Sequence, residues 1–315
     1  MNVEPAGATG ALRDAALAGS APPSLGSLSQ GRSGGQLRRN LRRFLIANRL
    51  NLAGVVIVVL FFFMAIFGEL LAPRDPYAQD IIDSKLHAPS RAHLLGTDEL
   101  GRDVLSRIMT GTRISLQVAV VVLTFAVLTG TLIGAVSGYM GGIVDEILMR
   151  FTDMFLAFPA LILAIAIASS LGRELKYTMI AVSTVFWPWY ARLVRAQVLS
   201  IKQREYVEAG RSLGLSVWRL LFRHILPNAL SVVIIQVTLD VGYAILITSS
   251  LSFIGLGAQP PSPEWGTMMS TARNYFRDAW WYITFPGVAL TLTVFAFNVL
   301  GDGLQDALDP RSGRR

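Results

Sequence analysis

The chain has 315 residues, 52% of them hydrophobic and only 16% charged, with a mean hydropathy of +0.49 and a formal net charge of +7. Soluble domains carry about 25% charged residues, so this composition excludes an ordinary soluble fold and indicates a polytopic membrane protein. The absence of cysteine excludes a disulfide framework and a thiolate metal site, and the basic residues gather beside apolar runs, which argues for membrane topology rather than a nucleic-acid partner.

Residues 1–36 are rich in Ala, Gly, Ser and Pro and are expected to be disordered, because they bury too little apolar surface to offset ordering entropy. Leu37, Leu41, Phe44 and Leu45 fall at helical spacing with arginines on the other face. That predicts an interfacial helix over 37–49, or simple basic flanking of the first span. Six apolar runs follow, at 50–71, 115–139, 151–171, 178–199, 228–256 and 280–300. A spanning helix needs about 20 mostly apolar residues, so the chain reads as six transmembrane helices. The first run starts some 50 residues in and reads as a retained anchor rather than a cleaved signal.

Arginines and lysines crowd the flank before the first run and the 200–227 loop, and the tail adds Arg311, Arg314 and Arg315, whereas 72–114 balances its charges. The termini and the 200–227 loop are therefore expected in the cytoplasm, and the 72–114 and 257–279 loops outside. In the first outer segment Thr97 or Asp98 is placed to cap a surface helix running towards Thr110. His87 and His93, six apart in the same segment, read as surface histidines rather than metal ligands. Asp145, Glu146, Arg150 and Asp153 predict a local ion-pair cluster between the second and third spans, and Pro159, Pro188 and Pro286 predict kinks in spans three, four and six.

The 200–227 loop is amphipathic. Residues 203–213 and 216–226 read as two helices, with Gly214 at the bend and Pro227 ending the second. Trp218, Leu221, Phe222 and Ile225 form an apolar stripe beside Arg219 and Arg223, and Glu208 is spaced to pair with Arg204 or Arg211. Ala209 and Gly210 leave a small face that a partner can approach closely. From the residues alone this element fits either a partner's groove or the inner leaflet. Within the fifth span Asp240 is an intramembrane carboxylate, with Gln236, Thr248, Ser249 and Ser250 as further candidates to line a solute path. In the last outer loop Pro260, Pro261 and Pro263 stiffen the chain before Trp265 and Gly266; Trp265, Trp280 and Trp281 fit either an interfacial aromatic belt or a docking surface for an external protein.

Glu208-Ala209-Gly210, Gly214 and Leu226-Pro227 resemble the Glu-Ala-Ala-x3-Gly…Leu-Pro signature of ABC importer permeases, with Gly210 in place of the second Ala and His224 where Ile is common. The runs at 96–107, 251–257, 260–266 and 301–311 are similar to the dipeptide/oligopeptide/nickel permease family, and within it to the second permease subunit. The resemblance implies an all-α type I importer permease with six transmembrane helices in the cell inner membrane. It also implies a sister permease completing a heterodimeric pore, two cytoplasmic ABC ATPases that use ATP and Mg2+, and an extracytoplasmic binding protein that delivers peptide. The coupling set it implies is Arg204, Glu208, Ala209, Gly210, Arg211, Gly214, Leu226 and Pro227, seated on an ATPase. Pro260, Pro261, Trp265 and Gly266 are the implied contacts of the binding protein. No phosphate loop of the Gly-x4-Gly-Lys-Ser/Thr type occurs, so the chain itself is not expected to hydrolyse ATP by that route; separately, no bound cofactor or metal is expected of it. Thr248 stands where many relatives carry Glu. Nickel, haem or glutathione are the alternative solutes. A proton- or sodium-coupled transporter, the less favoured alternative, would need ionisable groups in several spans and internal repeats; the sequence offers Asp240 and no clear repeat.

Overall fold

A computed structural model of the chain describes residues 49–308. The expectations for 1–36, for 37–48 and for the tail beyond 308 lie outside the described residues. Ten α-helices run in order: α1 Arg49–Leu71, α2 Val104–Met140, α3 Gly142–Leu156, α4 Ala160–Leu171, α5 Leu175–Lys202, α6 Glu205–Ser212, α7 Val217–Leu220, α8 Leu226–Phe253, α9 Trp265–Ala272 and α10 Trp280–Leu308. A π-turn at Leu221–Ile225 joins α7 to α8, and no strand occurs among the described residues beyond one isolated bridge between Thr97 and Asp103.

By length and composition four segments can cross a membrane: Leu50–Leu71, Val104–Met140, Val217–Phe253 and Trp280–Asp306. A fifth arises if α3 and α4, which meet at 86°, count as one broken span. α5 is about 42 Å long at 1.5 Å per residue, enough to cross, but Arg192, Arg195 and Lys202 keep it off the apolar set.

Three sequence expectations change here. The helix expected between residues 97 and 110 is not a separate surface element. Asp103 caps it instead, its carboxylate accepting from the Ser106 amide at 2.9 Å and the Ser106 hydroxyl at 2.7 Å, and the helix continues unbroken to Met140. Asp98 instead accepts from the Leu100 and Arg102 amides and from the Arg102 guanidinium. The kink expected at Pro159 is a full break, because Pro159 begins a new helix rather than bending an old one. α5 and α10, in contrast, run through Pro188 and Pro286. Finally, Asp145 and Asp153 do not brace their own loop. Asp145 holds Arg195 of α5 through two bonds of 2.6 Å and also accepts from Ser137, while Asp153 reaches Arg192 at 2.6 Å. Of the expected local cluster, the Glu146–Arg150 pair forms at 3.7 Å and is exposed, a geometry worth little.

The most extensive helix contact is between α2 and α5. Gly130, Gly134 and Gly138 recur every four residues along one face of α2 and lie directly against the α5 backbone. A Cβ at Gly130 would sit 2.6 Å from the Trp187 carbonyl oxygen, and one at Gly138 would sit 2.9 Å from that of Arg195. Small residues at this spacing let two helix backbones approach within lipid, where no hydrophobic force drives helices together. Lys202 closes the same seam at its end, donating to the Tyr139 carbonyl at 2.6 Å.

Outside the apolar helices, residues 72–103 and 257–279 form a joint cap. Arg107 is buried and donates to the carbonyls of Pro76, Pro261 and Ser262. The Trp281 indole donates to Thr97 and the Trp265 indole to Ile108, each at 3.2 Å. Both tryptophans are buried, so of the expected aromatic belt only Trp280 is exposed. His93 is likewise no surface residue: it is buried against Asp103 at 3.0 Å, while His87 is exposed.

Gly134→Val should overpack the α2–α5 seam at a cost of roughly 1–3 kcal/mol. It should lower the thermal midpoint of the detergent-solubilised protein. Gly287→Ala, whose new methyl would meet only the Met269 sulfur at 3.6 Å, should be neutral or stabilising in the same assay.

Candidate functional site in the 203–227 loop

α6 has two unlike faces. Val207 and Gly210 point inward and are buried, whereas Glu205, Tyr206, Glu208, Ala209, Arg211 and Ser212 are exposed. Val207 joins the core cluster that contains Tyr139, Val198, Ile201, Leu220, Leu221 and Ile225. Glutamates in the first turn and Arg211 in the last both suit the helix dipole.

The bend after α6 is a Schellman motif. The Gly214 amide donates to the Arg211 carbonyl at 3.0 Å and the Leu215 amide donates to that of Gly210 at 3.1 Å. Gly214 has φ +76° and nothing within 4 Å of a notional Cβ, so the backbone angle, not space, requires glycine there. Gly210 is different. A Cβ on it would lie 2.9 Å from Leu220, so this residue is small to let α6 seat on α7. The expected small face for a partner is therefore Ala209 alone, and Gly210 serves packing within the chain.

Ser216 caps α7 by accepting from the Arg219 amide. The helix does not end at Pro227, contrary to expectation. The Leu226 amide donates to the Leu221 carbonyl across the π-turn, and Pro227 then occupies the first turn of α8, where a missing N–H leaves no bond unmade. Asn228 ties the ends together, its side-chain amide donating to the His224 carbonyl at 2.6 Å and to the Tyr206 hydroxyl at 3.4 Å. The apolar stripe divides: Leu221 and Ile225 are buried, while Trp218 and Phe222 are exposed and stacked with centroids 5.8 Å apart.

The outer face is uncompensated. Among the described residues Arg204, Glu205, Glu208, Arg211, Arg219 and Arg223 make no ion pair, so Glu208 does not take the intrahelical partners its spacing offered. Beside these charges Leu213 is 83% and Trp218 60% exposed. The structure thus brings Glu208, Ala209, Arg211 and Gly214 onto one surface. Arg204 stands at the N-terminus of α6, and Leu226 and Pro227 lie where α8 begins.

The remaining candidates are dispersed. Ser249 and Ser250 line an apolar cavity of about 260 Å3 with Leu161, Ile165, Phe253, Ile254, Met269 and Leu290. Ser249 donates to the buried Glu264 at 2.6 Å and Ser250 to the Leu246 carbonyl. Thr248 is buried with no partner for its hydroxyl among the described residues. Asp240 accepts from Tyr190 at 2.7 Å and from Gln236 at 3.0 Å. Pro260 and Pro261 are exposed, whereas Trp265 and Gly266 are buried. Sequence reasoning missed Glu264, which caps α9 through Thr267, and Tyr190. The capping residue just before Trp265 was a readable signal for the first. Nothing in the spacing marked the second.

A helical bundle with four or five apolar spans and a helical loop anchored to its core defines a polytopic membrane protein. Residues 130–314 match the family described as binding-protein-dependent transport system inner membrane component, and 35–89 match the N-terminal transmembrane domain of oligopeptide transport permease C. The probable D,D-dipeptide transport system permease protein of Escherichia coli (strain K12) is 46% identical over 264 residues, covering 84% of this chain and 88% of that protein. The dipeptide transport system permease protein of Alkalihalophilus pseudofirmus is 44% identical over 264 residues, covering 84% and 86%. The glutathione transport system permease protein of Pectobacterium atrosepticum is 43% identical over 270 residues, covering 86% and 89%. The chain belongs to the binding-protein-dependent permease family and is a multi-pass inner-membrane protein.

Gly214→Ala should strain the left-handed position by about 1 kcal/mol or more, and Gly214→Asn should cost less. Limited proteolysis of the loop should show faster cleavage in the order Ala, Asn, Gly.

Proposed function

We propose that this chain is the permease subunit of an ATP-driven importer that moves peptides across the inner membrane. The observation that carries the reading is the outer face of α6 and α7: six unpaired charges and exposed Leu213 and Trp218 on a loop whose inner face is locked into the core. Such a surface suits burial in the groove of a partner, where Ala209 permits close approach and Glu208 meets a cation. The partner is one of two cytoplasmic ABC ATPases, which bind ATP and Mg2+. A sister permease completes the pore, and an extracytoplasmic binding protein supplies the solute. Dipeptide permeases among the relatives favour peptide as that solute.

In this reading the chain has six transmembrane helices, α5 and the α3–α4 pair included, with both termini and the 200–227 loop in the cytoplasm. ATP-driven closure of the ATPases displaces α6, and the joined helices switch access from one side of the membrane to the other. Ser249 and Ser250 line the solute path, and the exposed Pro260 and Pro261 meet the binding protein.

Glu208→Lys should leave the protein in the membrane while abolishing co-purification of the ATPases and reducing peptide uptake to background. Normal co-purification and uptake by this variant would overturn the docking role.

A further inference from the structure

Asp240 is half-buried in the middle of α8, about 21 Å along the helix from Leu226 at 1.5 Å per residue. One carboxylate oxygen accepts from the Tyr190 hydroxyl of α5 at 2.7 Å, and the other accepts from Gln236, one turn earlier, at 3.0 Å. Tyr190 is fully buried. One turn further on, Phe186 and Tyr243 extend the same contact, with ring centroids 5.5 Å apart. Both carboxylate oxygens are thus engaged by side chains of this chain.

α5 and α8 are the two helices that lead into and out of the 203–227 loop. We propose that the Tyr190–Asp240 bond is a latch that makes α5, the loop and the lower half of α8 move as one body. Asp240 is then a positioning residue for transport and not a group that touches the solute. The inference rests on the coupling reading of the loop given above.

At the level of the loop α5 and α8 are joined by chain connectivity and by the packing of Val207, Leu220 and Ile225. The cavity at Ser249 and Ser250 lies about 35 Å along α8 from Leu226. Between these levels the two helices share apolar packing of Val194 and Val198 with Ala229 and Val233, and the Thr178 hydroxyl donates to the Leu256 carbonyl at 2.8 Å near the far end. The Tyr190–Asp240 bond adds a directional tie midway, where non-directional packing alone would let the helices slide. A hydroxyl–carboxylate bond at this depth satisfies both oxygens of an otherwise costly intramembrane acid together with Gln236, which gives the acid a reason to be there. Immediately beyond the latch, Gly242 packs against the α10 backbone at Val294, where a Cβ would come within 3.0 Å. Displacement held together as far as Asp240 is therefore passed on to α10.

The test is uptake of peptide per ATP hydrolysed, measured with the four-subunit complex reconstituted in vesicles with binding protein. Tyr190→Phe removes one oxygen and keeps the packed ring. It should assemble and hydrolyse ATP, yet transport about three-fold less peptide per ATP, the size of a typical intramembrane hydrogen bond. Asp240→Asn keeps an acceptor for Tyr190 and should retain most of the ratio. The peptide KM should be unchanged in both. A wild-type ratio in Tyr190→Phe overturns the latch while leaving the loop's role intact, provided that Glu208→Lys still uncouples. A raised KM in Asp240→Asn with Tyr190→Phe silent places Asp240 on the solute path and also overturns the latch. The cysteine-free chain permits a second reading that needs no change at the latch itself. Spin labels on Trp189→Cys and Ile234→Cys, both exposed positions, should keep one separation with and without ATP, and a shift during the cycle overturns the proposal.

Discussion

Backbone contact between α2 and α5 is the constraint on which the rest of the structure depends. Gly130, Gly134 and Gly138 remove every side chain from one stripe of α2, and Trp187, Ala191 and Arg195 of α5 occupy that space with main-chain atoms. Dispersion over a long, close seam replaces the hydrophobic force that lipid cannot supply. The direction of α5 follows from this seam, and so does the point at which the 203–227 loop leaves the bundle. Arg195 and Lys202 then fasten the same end of α5 to Asp145 and Tyr139. A helix too polar for lipid on its own is thereby held among helices that supply its partners.

The loop inherits that rigidity. Its inner residues extend the α2–α5 core, and its outer residues are left with charges and apolar surface that nothing in the chain satisfies. Two glycines four positions apart support this for different reasons. Gly210 is small because Leu220 lies on it, whereas Gly214 is achiral at its α-carbon because the chain must turn left-handed. The π-turn completes the design by carrying the loop into α8 without a flexible joint, so that a force on α6 reaches a long helix directly.

The cap formed by residues 72–103 and 257–279 is organised on the opposite principle. Its core is polar: Asp98 holds Arg102 at 2.6 Å with both side chains buried, and Arg107 stitches three carbonyls from two distant segments. Buried pairs of this kind add little net stability, but removing one partner costs about 3–5 kcal/mol. They fix geometry rather than supply stability. The cap thereby orders the segments before α2 and after α8 relative to one another, and the Trp281 and Trp265 indoles tie it to α10, α9 and α2.

By itself the sequence determined the class, the apolar runs, the two-helix loop with its glycine bend, and the family, because composition, 3.6-residue periodicity and motif spacing are local properties of the chain. It also held the α2 seam in plain view as Gly130, Gly134 and Gly138, since a four-residue spacing of small residues is readable. Tertiary structure alone decided what those residues meet. Asp145 and Asp153 had nearby partners by spacing and chose arginines on α5. Trp265, Trp281, Gly266 and His93 had an outward-facing reading and turned inward, because the cap needed their bonds and volume. Pro227 had the chemistry of a helix end and became a helix start, because the preceding turn widened to accommodate it. Asp240 had no partner by spacing except Gln236, and the fold brings it a tyrosine fifty residues away. In each case a buried polar group takes the partner that folding brings within 3 Å, and no spacing rule along the chain records a distance set by two other helices.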